Sequence, residues 1–277
     1  MSVYYTNKKI NFGGLFIFLL ECNNLKKLFK KNTIKVIFTN KNLSQEDYKK
    51  YKKYFGFLDF NFPIIYRKYV SYDMKGLLNI DSLFDKKFSY QTTFLSLLSK
   101  NNNLKPIIKY KKNLNKKISI ILKKKKIRNY ITIHLNINNK SPLSAAKISF
   151  WKKLVDHLLR KNLSLQIIFV GFKKEFYKHD RVHYSYDIFK NDIYSFFAVS
   201  NSKFFIGNAS GYCCAAIFSN TPYLIIKNPN HHKMTIKDEI KNLKLDFANN
   251  DQLIIRSPQS FDYIRTILRK FNKLLNV

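Results

Sequence analysis

Residues 192–227, DIYSFFAVSNSKFFIGNASGYCCAAIFSNTPYLIIK, set the reading of the whole chain. Lys203-Phe204-Phe205-Ile206-Gly207 is a compact apolar run closed by glycine, the pattern of a strand buried on both faces of a parallel sheet. Gly207-Asn208-Ala209-Ser210-Gly211 carries nothing bulky and reads as a tight turn. Ala215-Ala216-Ile217-Phe218 continues as an apolar helix that stops before Thr221-Pro222, and a second strand begins at Tyr223. A strand, a small-residue turn and a helix whose first amides face that turn make a candidate anion site, suited to a phosphate or diphosphate. Its residues are Gly207, Asn208, Ser210 and Gly211. The same small residues would equally serve close packing of the helix on the sheet.

Before this stretch the alternation is regular. Residues 130–135 read as a strand, 146–161 as an amphipathic helix carrying the one tryptophan, Trp151, and 165–170 as a strand ended by Gly171. Residues 191–200 read as a helix. After it, Leu253-Ile254-Ile255-Arg256 is a short strand. Ser257-Pro258 is expected to open a last helix through Leu275, with serine as cap and proline at the first position.

The N-terminal half opens the same way. Ser2-Val3-Tyr4-Tyr5 reads as a strand, Asn11-Phe12-Gly13-Gly14 as a glycine turn, and residues 15–30 as a helix with Leu15, Phe18, Leu19, Cys22, Leu25, Leu28 and Phe29 at helical spacing. Residues 33–38 are the next strand. This is a βαβ unit whose turn lies at the carboxyl end of its first strand, where open α/β sheets bind ligands, which makes Asn11, Gly13 and Gly14 a candidate loop. Ser44-Gln45-Glu46-Asp47 carries the cap and acidic first turn of a helix through Tyr54, stopping near Gly56. Residues 57–65 hold one or two short strands interrupted by Pro63, and residues 91–99 a helix. The lysine clusters of residues 105–128 read as an exposed connection between domains, with Ile118-Ser119-Ile120-Ile121-Leu122 as an edge strand. The expectation is therefore an α/β chain of two Rossmann-like domains, residues 1–125 and 126–277, facing each other across a cleft.

Composition narrows the function classes. The 277 residues are 45% hydrophobic and 16% aromatic, enough for packed cores and against disorder. The net charge of +34 points to anionic partners, but only seven of the 51 basic residues are arginine. A reader of bases would use more arginine for bidentate contacts, so no specific nucleic acid is expected. The lysines still predict attraction to an anionic membrane surface. Three cysteines, two of them adjacent, are no disulfide framework, which points to a reducing compartment. His231-His232 has no further ligand at metal spacing, and none of the sequence predicts a metal site. Residues 12–20 are too short to span a bilayer and lead into no cleavage site. The chain is expected to be cytoplasmic, with peripheral contact at the inner membrane face.

The order of motifs in the second half resembles the nucleotide-sugar-binding domain of GT-B glycosyltransferases, in particular bacterial heptosyltransferase-like enzymes that build surface polysaccharides. The residues carrying it are Ile133-His134, Ile168-Phe169-Val170-Gly171, Asp192-Ile193, Phe205-Ile206-Gly207-Asn208-Ala209-Ser210-Gly211, Ala215-Ala216 and Pro222-Tyr223. Asn11 to Gly14 fits the family's N-terminal glycine loop more loosely. Leu15 stands where such enzymes carry an acidic residue, Ala209 where they carry Asp before Ser-Gly, and Cys213 or Cys214 where a His follows. Asn136 stands where the related fucosyltransferase pattern has Arg.

The resemblance implies a metal-independent glycosyltransferase of lipopolysaccharide or related surface-polysaccharide synthesis. It would move a sugar from a nucleotide-sugar donor to a glycan or lipid-linked acceptor. The donor would lie on Gly207, Asn208, Ser210 and Gly211, with its diphosphate at the amides of Ser210 and Gly211 and His134 on its phosphate or sugar. The acceptor would lie near Asn11, Gly13 and Gly14. No cofactor is implied, and no catalytic base is assigned, since Glu21 reads equally as a solvated helix charge. The competing readings are a lysine-rich nucleic-acid-binding protein and a catalytically inactive GT-B-fold binding protein.

Overall fold

Val36, Ile37 and Phe38 are at most 1% exposed, as a strand inside a parallel sheet leaves no face to solvent. They belong to β2 (Lys35–Thr39), which lies between β1 (Ser2–Tyr4) and β3 (Ile64–Arg67), with β4 (Leu77–Asn79) beyond β1. All three pairings are parallel, in the order β3-β2-β1-β4. The structure, a computed structural model, describes residues 2–4, 15–16, 19–20, 22–23, 35–39, 43–59, 63–67, 77–79, 107–137, 146–171, 176–229, 245 and 248–275. The chain forms two compact units, Met1–Lys111 and Lys112–Val277.

In the first unit, positions 15, 16, 19, 20 and 22 are helical and buried, the spacing of one helix face. Helix α1 (Gln45–Phe55) begins where Ser44 Oγ accepts the Asp47 amide at 3.0 Å and ends at Gly56, as the sequence leads one to expect. The glycine loop Asn11, Gly13 and Gly14 lies outside the described residues, as do Glu21 and residues 91–99.

The second unit starts with helix α2 (Lys112–Lys124). Here the sequence reading is corrected: residues 118–122 form helix, not an edge strand. Leu114, Ile118 and Leu122 recur every four residues and are the helix's buried face, while the lysines occupy the other face. Lys117 lies over the Tyr194 ring, 5.7 Å from its centroid, so this lysine-rich segment packs on the second unit.

Six parallel strands follow: β5 (Tyr130–His134), β6 (Gln166–Val170), β7 (Val182–Tyr184), β8 (Phe205–Asn208), β9 (Tyr223–Lys227) and β10 (Gln252–Arg256). Their order is β10-β9-β8-β5-β6-β7. This is the doubly wound Rossmann order, in which winding reverses between β5 and β8. Helix α3 (Ile148–Lys161) buries Trp151, Leu154, Val155 and Leu158 against Ile131, Ile133, Ile167 and Phe169. Between the strands also lie α4 (Ser185–Phe189), α5 (Asp192–Ser200, capped by Asn191) and α6 (Cys213–Ile217). No helix among the described residues is long and apolar enough to cross a membrane.

The C-terminal helix does not start at Ser257-Pro258. Ser257 still runs beside the sheet, its amide donating to the Lys227 carbonyl at 2.9 Å, and Gln259 takes φ +56°. Helix α7 (Phe261–Leu268) begins after Ser260 and passes through a 3-10 turn (Arg269–Phe271) into α8 (Asn272–Leu275). The left-handed Gln259 has a purpose in packing: its Oε1 accepts from Trp151 Nε1 at 3.0 Å and from the Lys147 amide at 2.8 Å. A side chain from the loop thus fills the role of a cap on α3, which has none of its own.

Candidate functional site

Ligands of doubly wound sheets collect at the carboxyl ends of the strands where winding reverses. In this chain that place is the junction of β5 and β8, where His134 pairs with Gly207 in register. Gly207 has to be small: a Cβ there would stand 2.9 Å from the backbone oxygen of His134 and 2.8 Å from the Phe205 ring. Beyond it the chain leaves the sheet through Asn208, Ala209, Ser210 and Gly211 and enters α6. The sequence-derived donor residues are therefore brought together, on two neighbouring strands and one turn.

The turn is held from within. Ser210 Oγ accepts the Tyr212 amide at 3.2 Å, the Ser210 carbonyl accepts the Cys213 amide at 3.1 Å, and Cys213 Sγ donates to the Asn208 carbonyl at 3.1 Å. Among the described residues no acceptor engages the backbone amides of Ser210 and Gly211. Asn208 Oδ1 is buried and meets no donor. A buried acceptor left in that state costs about 1–3 kcal/mol, which a ligand donor would recover. Helix α6 has only five residues, starts at Cys213 and lacks a side-chain cap. So short a helix sums few peptide dipoles, and the helix contribution expected from the sequence shrinks accordingly. The polar character of the turn comes from individual amides and from nearby charge.

That charge is Lys227, at the carboxyl end of the adjacent β9. Burial pushes the Cys213 thiol up to about 11, while hydrogen bonds from Ser210 and the charge of Lys227 pull it the other way. The ammonium thus acts on the turn itself. Burial pushes the Cys214 thiol up to about 12, so neither cysteine is a thiolate at neutral pH. Sequence reading passed over Lys227; its signal was a cation closing the otherwise apolar run Tyr223-Leu224-Ile225-Ile226.

Tyr212 was passed over too, although it is the one large residue in a turn of small ones. Its ring lies 4.7 Å from that of His134 and 5.1 Å from that of Phe196. Gly171, at φ +78°, closes the other side of the histidine. His134 is 7% exposed and its Nδ1 lies 2.8 Å from the Val170 carbonyl. A carbonyl can only accept, so Nδ1 carries the proton. Burial pushes the imidazole down to about 4, against the pull of that hydrogen bond, so the ring is neutral and Nε2 is an acceptor. Toward a ligand His134 is matched to a hydroxyl rather than to a phosphate oxygen.

A pH effect follows. The unfolded histidine takes a proton near 6.5 and the folded one only near 4, so its contribution to stability is present above 6.5 and lost as pH falls between these values. The span corresponds to about 3 kcal/mol. Urea unfolding of wild type and His134→Asn at pH 7 and pH 4 should show the variant lacking a loss of this size; parallel losses would mean that His134 titrates as an exposed histidine.

Among the described residues no group of three or more His, Cys, Asp or Glu side chains gathers as a metal site.

The fold defines a Rossmann-type α/β chain, and comparison with solved structures narrows the class. The glycosyl transferase family 9 protein from Veillonella parvula DSM 2008 superposes with TM-score 0.61 at 10% identity, over 96% of this chain and 88% of that one. ADP-heptose LPS heptosyltransferase II of E. coli gives TM-score 0.57 at 10% identity, over 99% and 98%. E. coli heptosyltransferase WaaC with ADP-2-deoxy-2-fluoro heptose gives 0.51 at 9% identity, over 98% and 100%. The fold is thus that of GT-B glycosyltransferases, the group whose motif order the sequence resembles. No protein-family model and no curated protein matches the sequence.

Proposed function

We propose that the chain is a glycosyltransferase that takes a nucleotide-sugar donor on its second unit. The observation that carries this reading is the turn at the β5–β8 junction, with two unengaged amides, an orphaned buried acceptor and the Lys227 charge beside it. The donor's diphosphate lies against the amides of Ser210 and Gly211. As the glycosidic bond to the diphosphate breaks, the electron pair leaves with the diphosphate oxygen. The amides and Lys227 stabilise that growing charge, a task that needs no metal ion in this arrangement. Asn208 Oδ1 and His134 Nε2 accept from donor hydroxyls. The acceptor is a glycan or lipid-linked molecule of surface-polysaccharide synthesis, and the +34 charge favours work at an anionic membrane surface. The likeness in fold to heptosyltransferases supports this reading.

Thermal-shift screening against UDP, GDP, CMP and ADP tests it. The matching nucleotide at about 100 times its Kd should stabilise the protein by about 2.7 kcal/mol. The effect should saturate and survive added salt. If no nucleotide shifts the transition while oligonucleotides bind with a steep logarithmic salt slope, the nucleic-acid reading replaces it. Nucleotide binding without sugar turnover would instead identify an inactive binding protein.

A further inference from the structure

Far from the turn, a cavity of about 210 Å³ opens between the end of α3 and the C-terminal helices, lined by His157, Lys161, Arg265, Leu268, Arg269 and Asn272. Leu268 is buried and forms its floor, and the His157 ring stands edge-on to Phe261 at 5.6 Å. Three permanent cations thus converge on a concave site with an apolar base. Such a gathering costs repulsion unless something offsets it.

The usual reason for cations at a helix C-terminus is to meet its last carbonyls. That role is already filled for α3. Arg181 donates to the Leu159 carbonyl at 2.8 Å and the Asn162 carbonyl at 2.7 Å, from the strand side of the helix. Asn162 in turn ties α3 to the last helix, donating to the Leu275 carbonyl at 2.7 Å. Nor are the cavity's cations consumed by carboxylates. Arg265 reaches Asp262 at 3.6 Å, an exposed pair of little worth, and among the described residues Lys161 and Arg269 meet no carboxylate. The positive field is felt inside the site: besides burial, the charges of Lys161, Arg265 and Arg160 hold the His157 imidazole below its ordinary value.

We infer that this cavity is a second anion site, which takes a phosphate group between Lys161, Arg265 and Arg269. Arginine is the residue suited to grip phosphate oxygens two at a time, and two of the chain's seven arginines face this one cavity. The phosphate arrives either free or as a phospholipid headgroup. The site is independent of the nucleotide-sugar reading.

The test uses the full chain with inorganic phosphate, and separately with vesicles of phosphatidylcholine with and without phosphatidylglycerol, at constant ionic strength. Because a chain of charge +34 attracts any anion, Arg265→Gln/Arg269→Gln is compared with Lys49→Gln/Lys53→Gln, which removes the same charge from α1. Wild type and the α1 variant should bind phosphate or the anionic vesicles alike, and the cavity variant at least tenfold more weakly, with unchanged circular dichroism. Binding of phosphate in solution identifies a free-phosphate site; binding of vesicles alone identifies a headgroup site. Equal losses in the two variants, or no binding of either probe by wild type, overturn the inference. Should the double cavity variant not fold, Lys161→Gln with Arg269→Gln gives the same comparison.

Discussion

Ser210→Asp is expected to abolish nucleoside-diphosphate binding while the protein stays folded. Ser210 is half-buried, and its Oγ accepts the Tyr212 amide. A carboxylate can accept that same hydrogen bond, since Asp is at home in turns of this kind. What changes is charge. A carboxylate about 4–5 Å from a diphosphate oxygen in a site of intermediate dielectric repels it by about 3–4 kcal/mol. That is more than two orders of magnitude in affinity. Ser210→Asn keeps the shape of aspartate without the charge and should bind within a few-fold of wild type. Calorimetry on the three proteins decides the matter: equal affinity of wild type and Ser210→Asp would remove the diphosphate from this turn.

Gly171→Ala should strongly destabilise the second unit. The backbone there has φ +78°, which costs an L-residue about 1–2 kcal/mol. The added Cβ would lie 2.9 Å from His134 Cε1 and Nδ1 and 2.9 Å from Tyr212 Cε2. Displacing them has a cost, as His134 is tethered to Val170 and Tyr212 leans on Phe196. Overpacking of this kind adds about 1–3 kcal/mol. Together these lower the transition by roughly 5–20 °C for a unit of this size. Gly56→Ala is the control, because its Cβ would meet nothing closer than the Lys53 carbonyl at 3.5 Å and its backbone is right-handed. Calorimetric scans should separate the two variants widely; similar transitions would show that the His134 and Tyr212 rings move aside for the added methyl. Nucleotide affinity should fall with Gly171→Ala as well, since Tyr212 carries the turn's own hydrogen bond to Ser210.

Much of the second unit was legible because its signals are local. The apolar runs at Ile131-Thr132-Ile133, Ile167-Ile168-Phe169 and Leu224-Ile225-Ile226 are buried strands, and the helix read over residues 191–200 is present as α5. Three features resisted. The strand β7 and helix α4 are short and carry His183, Tyr186 and Asp187 among their few apolar residues, so no periodicity marks them. Residues 118–122 satisfy both a strand run and a helix stripe, and only the surface they pack on distinguishes these. Ser257-Pro258 is a good helix start in isolation, but Gln259 is drawn into a left-handed turn by partners on α3.

The candidate site divides along the same line. Gly207, Asn208, Ser210 and Gly211 were recognisable as a turn of small residues following a buried strand. Lys227 and Tyr212 were not recognisable as parts of it, because each is remote in sequence or in character from that pattern. His134 was identified as a residue of the strand end, yet its protonation and its hydrogen-bonding role depend on Val170, Gly171 and Tyr212 closing around it.

By itself the amino-acid sequence determined the alternation of strands and helices, the parallel sense of the second sheet, the small-residue turn and the excess of lysine. These follow from side-chain periodicity and backbone preference, which act over a few residues. Only the tertiary structure decided that β5 and β8 are neighbours, that a neutral histidine lies against the Tyr212 ring, and that Lys161, Arg265 and Arg269 share one cavity. Which strands adjoin, and which charges meet, depends on how all the buried surfaces of the unit are satisfied at once, and no local stretch carries that information.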